Sequence, residues 1–219
     1  MGGEALESLA IDERGAIADR FFALKDSEGR LGSGKTTKRF RRIDGLLDFS
    51  AAIEGSATLV RFPDGRVMRA DDPAISRTLS AACGIEVTIE SETQDQAKHR
   101  DAAPIHILSE ASLAWLRARV PGIAIDARRF RPNIVIATEA DGLPEQAWIG
   151  REIAIGDALL IKIVRATVRC VMTTLPQAEL EAAPAVLRTL TEANAASLGV
   201  YAEVLRPGTV GLGDALHFA

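Results

Sequence analysis

Cys170 and a run of three arginines are the residues of this chain whose types are best suited to chemistry. The cysteine stands in Val168-Arg169-Cys170-Val171-Met172-Thr173-Thr174, at the end of a long apolar stretch. A neighbouring guanidinium favours the thiolate, the form that attacks electrophiles and binds soft metals. A structural cysteine fits the same residues and stays open as a reading at this stage. The arginines are Arg128, Arg129 and Arg131, in Asp126-Ala127-Arg128-Arg129-Phe130-Arg131-Pro132-Asn133. Their rigid forks suit the oxygens of a phosphate or a carboxylate.

A third segment carries a phosphate-loop pattern. Gly29-Arg30-Leu31-Gly32-Ser33-Gly34-Lys35-Thr36 satisfies G-x-x-x-x-G-K-[ST] in full. That chemistry needs a buried strand running into the first glycine and a helix after the lysine. Here the charged run Lys25-Asp26-Ser27-Glu28 precedes Gly29, which is wrong for a buried parallel strand. The surrounding Lys35, Lys38, Arg39, Arg41 and Arg42 form the densest basic cluster in the chain. It reads either as a contact for an anion or as a solvated turn. His99, His106 and His217 show no metal-ligand spacing. There is no H-E-x-x-H, C-x-x-C or G-x-S-x-G. Asp71-Asp72 reads as helix capping rather than paired acid–base carboxylates.

The elements that must position these residues are mostly short strands. Phe21 to Leu24 is an apolar strand, and Ser56 to Phe62 with Arg66 to Arg69 is a hairpin around Pro63-Asp64-Gly65. Asp72 and Pro73 open a short helix with Ile75, Leu79 and Ala82 on one face, ended by Gly84 with Cys83 beside it. Glu92 to Asp101 is polar and reads as a mobile loop. Ile105 to Leu108 is a strand with His106 as a satisfied core residue. Ser109 caps a helix to about Arg119, with Leu113, Leu116 and Val120 inward and Pro121-Gly122 as its stop. Strands are expected at Ile134 to Ile136, Glu152 to Ile155 and Leu159 to Cys170. A helix from Pro184 to Ala196, a strand from Tyr201 to Leu205 and a closing strand near Phe218 complete the series. This spacing argues for a sandwich or barrel rather than a stack of strand–helix–strand units.

Composition narrows the function classes. A formal net charge of −4 gives no general attraction to nucleic acid or anionic lipid. No run of about 18 apolar residues exists to cross a membrane. Met1 to Asp19 carries acidic residues and no apolar segment, so it does not read as a signal peptide. The expected setting is a reducing cytoplasm with Cys83 and Cys170 both as free thiols.

Over about Asp101 to Phe218 the chain resembles the MOSC domain, the family named for the C-terminus of molybdenum cofactor sulfurase. The resemblance lies in His106-Ile107-Leu108-Ser109-Glu110-Ala111-Ser112-Leu113, Arg129-Phe130-Arg131-Pro132-Asn133-Ile134-Val135-Ile136 and Glu145-Gln146-Ala147-Trp148. It continues through Ile155-Gly156-Asp157, Arg169-Cys170-Val171-Met172-Thr173-Thr174, Pro207-Gly208-Thr209-Val210 and Gly213-Asp214. Asp19-Arg20-Phe21-Phe22 and Gly29 to Arg39 resemble motifs of the β-barrel region that accompanies this domain. The resemblance implies a mainly β fold with a few short helices (α+β): a MOSC-type, pyruvate-kinase-like β-barrel at residues 99–219, after an N-terminal β region at residues 1–98.

It also implies a molybdenum pyranopterin cofactor, as in the amidoxime-reducing component and its bacterial relatives. Cys170 would be the metal ligand and Asp101 a residue near the metal that orients an oxygen or relays a proton. Arg20, Lys35, Thr36, Arg131, Asn133 and Arg169 would bind the cofactor. The implied substrates are small N-oxygenated compounds. No flavin, haem or iron–sulfur motif is present, so electrons would come from an external electron-transfer protein. The alternatives are a sulfur carrier with a Cys170 persulfide and a non-catalytic scaffold. Pyridoxal phosphate is attached to this family by association, but no lysine here has a context for a Schiff base. Three departures bear on phosphate binding. Met1-Gly2-Gly3-Glu4 stands where the family's strand with a Lys-Ser pair should end, Phe22 replaces a tryptophan, and Lys35 stands where arginine is common.

Overall fold

The computed structural model describes residues 1–92, 99 and 102–219. Asp101, and the expected loop between Glu92 and Asp101 apart from His99, lie outside the described residues. The described residues are mostly strands with three short α-helices. It divides into two compact units. The first comprises Met1–Glu4, Arg20–His99 and Leu175–Ala182; the second comprises Ala5–Asp19, Arg100–Thr174 and Ala183–Ala219.

The first unit has two small sheets and helix α1, Ile75–Cys83. One sheet runs Phe40–Arg42, Leu31–Ser33, Phe22–Lys25, Thr88–Ser91. The other is Ser50–Glu54, Ala57–Arg61, Val67–Arg69. The Pro63-Asp64-Gly65 hairpin forms as expected, with Gly65 at φ 87° and its N–H on the Phe62 carbonyl. In α1, Ile75 and Leu79 are buried and left-handed Gly84 ends the helix. Ala82, expected on the inner face, is exposed, and Cys83 packs against the core instead. Ala82 and Cys83 flank the stripe set by Ile75 and Leu79 on opposite sides, so helical spacing alone does not choose between them and the packing at the end of the helix does.

The phosphate-loop pattern folds as a strand and a turn. Leu31–Ser33 lies inside it and pairs in parallel with Phe40–Arg42, so a strand and not a helix follows Lys35. A Cβ on Gly32 would stand 2.9 Å from Ile43 Cδ1 and 3.1 Å from Leu24 Cβ. That glycine serves close packing of the core rather than a phosphate.

The second unit is built on a six-stranded sheet that curls into a half-barrel. Its order is Ile134–Ile136, Ile105–Ser109, Ser197–Arg206, Leu159–Val168, Glu152–Ile155, Leu216–Phe218. The two ten-residue strands pair antiparallel with three register shifts. Such irregularities bend and twist a strand pair, which is how this sheet curls. Helix α2, Glu110–Arg117, links Ile105–Ser109 to the parallel strand Ile134–Ile136. One strand–helix–strand crossover therefore sits inside a sheet expected to lack any.

All five residues of Ile105–Ser109 are buried, because both faces are covered. Ile105 and Ile107 join one core with Ile153, Ile161, Ile163 and Val200. Leu108 joins a second with Phe130, Leu113, Leu116, and Val186 and Leu190 of helix α3, Pro184–Asn194. A small sheet adds Gly208–Gly211, Ser8–Asp12 and Gly15–Ala16. Several limits shift from expectation. The strand before the cysteine ends at Val168, so Arg169 and Cys170 lie beyond it. Helix α3 stops at Asn194 because Ala195 and Ala196 are left-handed. The last strand starts at Ser197 rather than Tyr201, and the closing segment is two strands, not one.

Candidate active site around Cys170

Cys170 sits between the end of the long strand and the short turn Val171–Thr174. It is a free thiol, half-buried. Its carbonyl accepts both the backbone N–H and the hydroxyl of Thr173, at 3.1 and 3.0 Å. On its other side, the Arg169 N–H donates to the Ala196 carbonyl at 2.7 Å. The backbone flanking the sulfur is thus held from both directions.

The Arg169 side chain turns into the protein. Nη2 donates to the Phe130 carbonyl at 2.7 Å and Nη1 lies 3.3 Å from His106 Nε2. A guanidinium only donates, so Nε2 accepts and the ring proton sits on Nδ1. Nε is buried and has no hydrogen-bond partner among the described residues. Burial pulls this guanidinium below its ordinary pKa, against the opposing pull of Tyr201 and Cys170. Arg129 is similar: 2% exposed, Nε on the Ala124 carbonyl at 2.9 Å, with its pKa lowered by burial. Arg128 differs, being exposed and paired with Asp126 at 2.8 Å.

Arg131 and Asn133 belong to the same neighbourhood. His106 donates its backbone N–H to Asn133 Oδ1 at 3.0 Å and accepts the Asn133 N–H at 2.8 Å. Asn133 Nδ2 donates to Asp19 at 3.1 Å. Between these anchors Arg131 is left-handed, at φ 56°. That conformation costs a non-glycine residue about 1–2 kcal/mol. A charge-assisted hydrogen bond is worth about 1.5–3 kcal/mol, so the bond from Arg169 to the preceding carbonyl is large enough to hold the turn. Gly199 provides the space for the His106 ring, since a Cβ there would stand 2.6 Å from both Nε2 and the Ile107 carbonyl oxygen.

Of the expected site residues, the second unit brings Arg131, Asn133, Arg169 and Cys170 into one hydrogen-bonded neighbourhood. In the first unit, Arg20 is left-handed at φ 56° and its carbonyl lies 3.1 Å from His99 Nδ1. Lys35 Nζ lies over the Phe40 ring at 4.6 Å, and Thr36 Oγ1 accepts the Arg42 N–H at 3.4 Å. Asp101 lies outside the described residues.

Sequence reasoning passed over Glu145. Its side chain is 0% exposed and accepts the hydroxyls of Ser109 at 2.6 Å and Ser112 at 2.5 Å. Ser109 Oγ in turn caps α2 by accepting the Ser112 N–H. A glutamate amid Leu143-Pro144-Glu145-Gln146-Ala147-Trp148 was the available signal, since a lone acid in an apolar stretch needs buried partners.

The MOSC domain family profile matches residues 94–217, more than half of the chain. Mitochondrial amidoxime-reducing component 1 of Homo sapiens is 35% identical over 137 residues, covering 57% of this chain and 39% of that protein. The Mus musculus counterpart is 34% identical over 138 residues, with the same coverage. The match thus spans about two fifths of the length of these relatives. Among solved structures, YiiM from Geobacillus stearothermophilus aligns with a TM-score of 0.41 and 18% identity over 53% of this chain and 54% of its own. The YUAD protein from Bacillus subtilis aligns with a TM-score of 0.46 and 14% identity over 96% and 84%.

Proposed function

The chain belongs to the MOSC domain family, and from that premise we propose that it binds a molybdenum pyranopterin cofactor, with Cys170 as metal ligand, and reduces N-oxygenated compounds. The observation that carries this reading is the half-buried free thiol beside a half-buried arginine whose Nε–H is fully buried and unpartnered among the described residues. A buried cation is costly without a compensating anion, and an anionic ligand at this point would supply one. Among the described residues no three His, Cys, Asp or Glu side chains gather as metal ligands. A single thiolate suits a metal that arrives with most of its ligands already in place.

When bound, such a cofactor supplies the redox chemistry of oxygen-atom removal. The chain's residues do the rest. The Cys170 thiolate would ligate the metal. Arg131, Asn133 and Arg169 would bind the cofactor. Arg20, Lys35 and Thr36 would be the candidates for its phosphate, and Asp101 the candidate for moving a proton. Removing the substrate oxygen as water takes an electron pair and protons, so an external electron-transfer protein is the partner.

The test is expression in a host that makes the cofactor, followed by assay of molybdenum and oxidised pterin fluorescence. Wild type and Cys83→Ser are expected to carry stoichiometric molybdenum and Cys170→Ser to carry none. Wild type without molybdenum but with a cyanide-labile sulfur on Cys170 would make the protein a sulfur carrier. Neither signal would leave a scaffold.

A further inference from the structure

The side chain next to Cys170 connects three segments that are distant in sequence. Arg169 reaches the Phe130 carbonyl through Nη2 and the His106 ring through Nη1. His106 in turn holds Asn133 through both its backbone N–H and its carbonyl. Residues 130–133 are therefore gripped at one end by Arg169 and at the other by His106, and the two grips are joined to each other. The Phe130 carbonyl belongs to the peptide plane that leads into left-handed Arg131. Fixing that plane fixes the direction in which the Arg131 side chain leaves the backbone.

We propose that Arg169 and His106 form a latch, in which Arg169 is a positioning residue that sets the Cys170 backbone and the Arg131 turn in one fixed relation. The proposal rests on the reading of Cys170 as the functional sulfur. The latch uses two of the Arg169 nitrogens, Nη1 and Nη2, and leaves only Nε to face a ligand. Charge alone cannot do this work. A lysine would keep the cation but lose the fork that reaches the carbonyl and the ring together. A glutamine at position 106 would keep an acceptor, whereas a leucine would not.

Hydrogen exchange on the full chain tests the latch without needing the metal. In Arg169→Lys and His106→Leu, peptides covering 129–133 and 168–172 are both expected to exchange about tenfold faster than in wild type, while the remaining peptides stay unchanged. His106→Gln is expected to restore slow exchange in both. Molybdenum content of Arg169→Lys, made in the cofactor-producing host, is expected to fall about fivefold while the melting temperature drops by only about 2–4 °C. Unchanged exchange, acceleration spread over the whole chain, or equal loosening in the glutamine and leucine variants would overturn the latch. If Arg169→Lys does not fold, the two His106 variants decide alone. A latch that behaves as expected in a protein that never loads molybdenum would leave this inference standing and remove the function above.

Discussion

The two basic segments of this protein handle their charges in opposite ways. Around Lys35, the cations stay at the surface: Lys38, Arg39, Arg41 and Arg42 are exposed, and Lys35 and Arg39 rest on one Phe40 ring. Around Arg169 the guanidiniums of Arg129 and Arg169, one buried and one half-buried, bond backbone carbonyls or a neutral imidazole. The surface cluster has the sequence motif, yet its side chains can move at little cost. The cluster around Arg169 matches no phosphate-loop pattern, but displacing any member leaves a buried polar group unsatisfied. Position, rather than the number of charges, decides what each cation is worth to the fold.

That contrast can be broken or sharpened by mutation. The largest effect on stability is expected in the buried region, at Glu145. Glu145→Ala strips two buried serine hydroxyls of their acceptor and opens a void, and should cost about 3 kcal/mol in urea unfolding. Glu145→Gln keeps one acceptor and should cost clearly less. A loss below about 0.5 kcal/mol for the alanine variant would mean that buried polar groups are not what distinguishes this region.

Arg131→Gly should move in the opposite direction. Removing the side chain from a left-handed position should stabilise the fold by about 1 kcal/mol, while molybdenum loading falls. A variant that is both less stable and fully loaded would show that the strained backbone serves the fold and not a ligand. The smallest change is expected at the surface: Lys35→Ala should shift stability by less than about 0.5 kcal/mol, measured in the same unfolding assay. A larger loss would show that the Phe40 contact holds the turn together.

Legibility in the sequence followed the same divide. Locally encoded features were readable: the Pro63-Asp64-Gly65 hairpin, the Ser109 cap, and the inward Leu113 and Leu116, while Val120 is buried beyond the end of the helix at Arg117. Cys170 was singled out through family resemblance, while its backbone anchors came only from the structure. Strands Leu31–Ser33 and Phe40–Arg42 were hidden because glycine, serine and threonine give the segment the chemistry of a turn. The start of Ser197–Arg206 was hidden because two alanines, not a glycine, take the left-handed positions before it. The latch was invisible because His106, Phe130 and Arg169 meet only through the sheet, across separations of 63 and 39 residues. Glu145 was missed because its partners lie 33 and 36 positions away.

The pairing of Ser8–Ile11 with Gly208–Gly211 has a bearing on biosynthesis. Ser8–Ile11 leaves the ribosome about two hundred residues before Gly208–Gly211 and must wait for that segment before its hydrogen bonds can close. At roughly 5–20 residues per second that delay is on the order of ten to forty seconds. During it, the apolar side chains of Leu9 and Ile11 lack this strand partner, and short apolar stretches of that kind are what a nascent-chain chaperone shields.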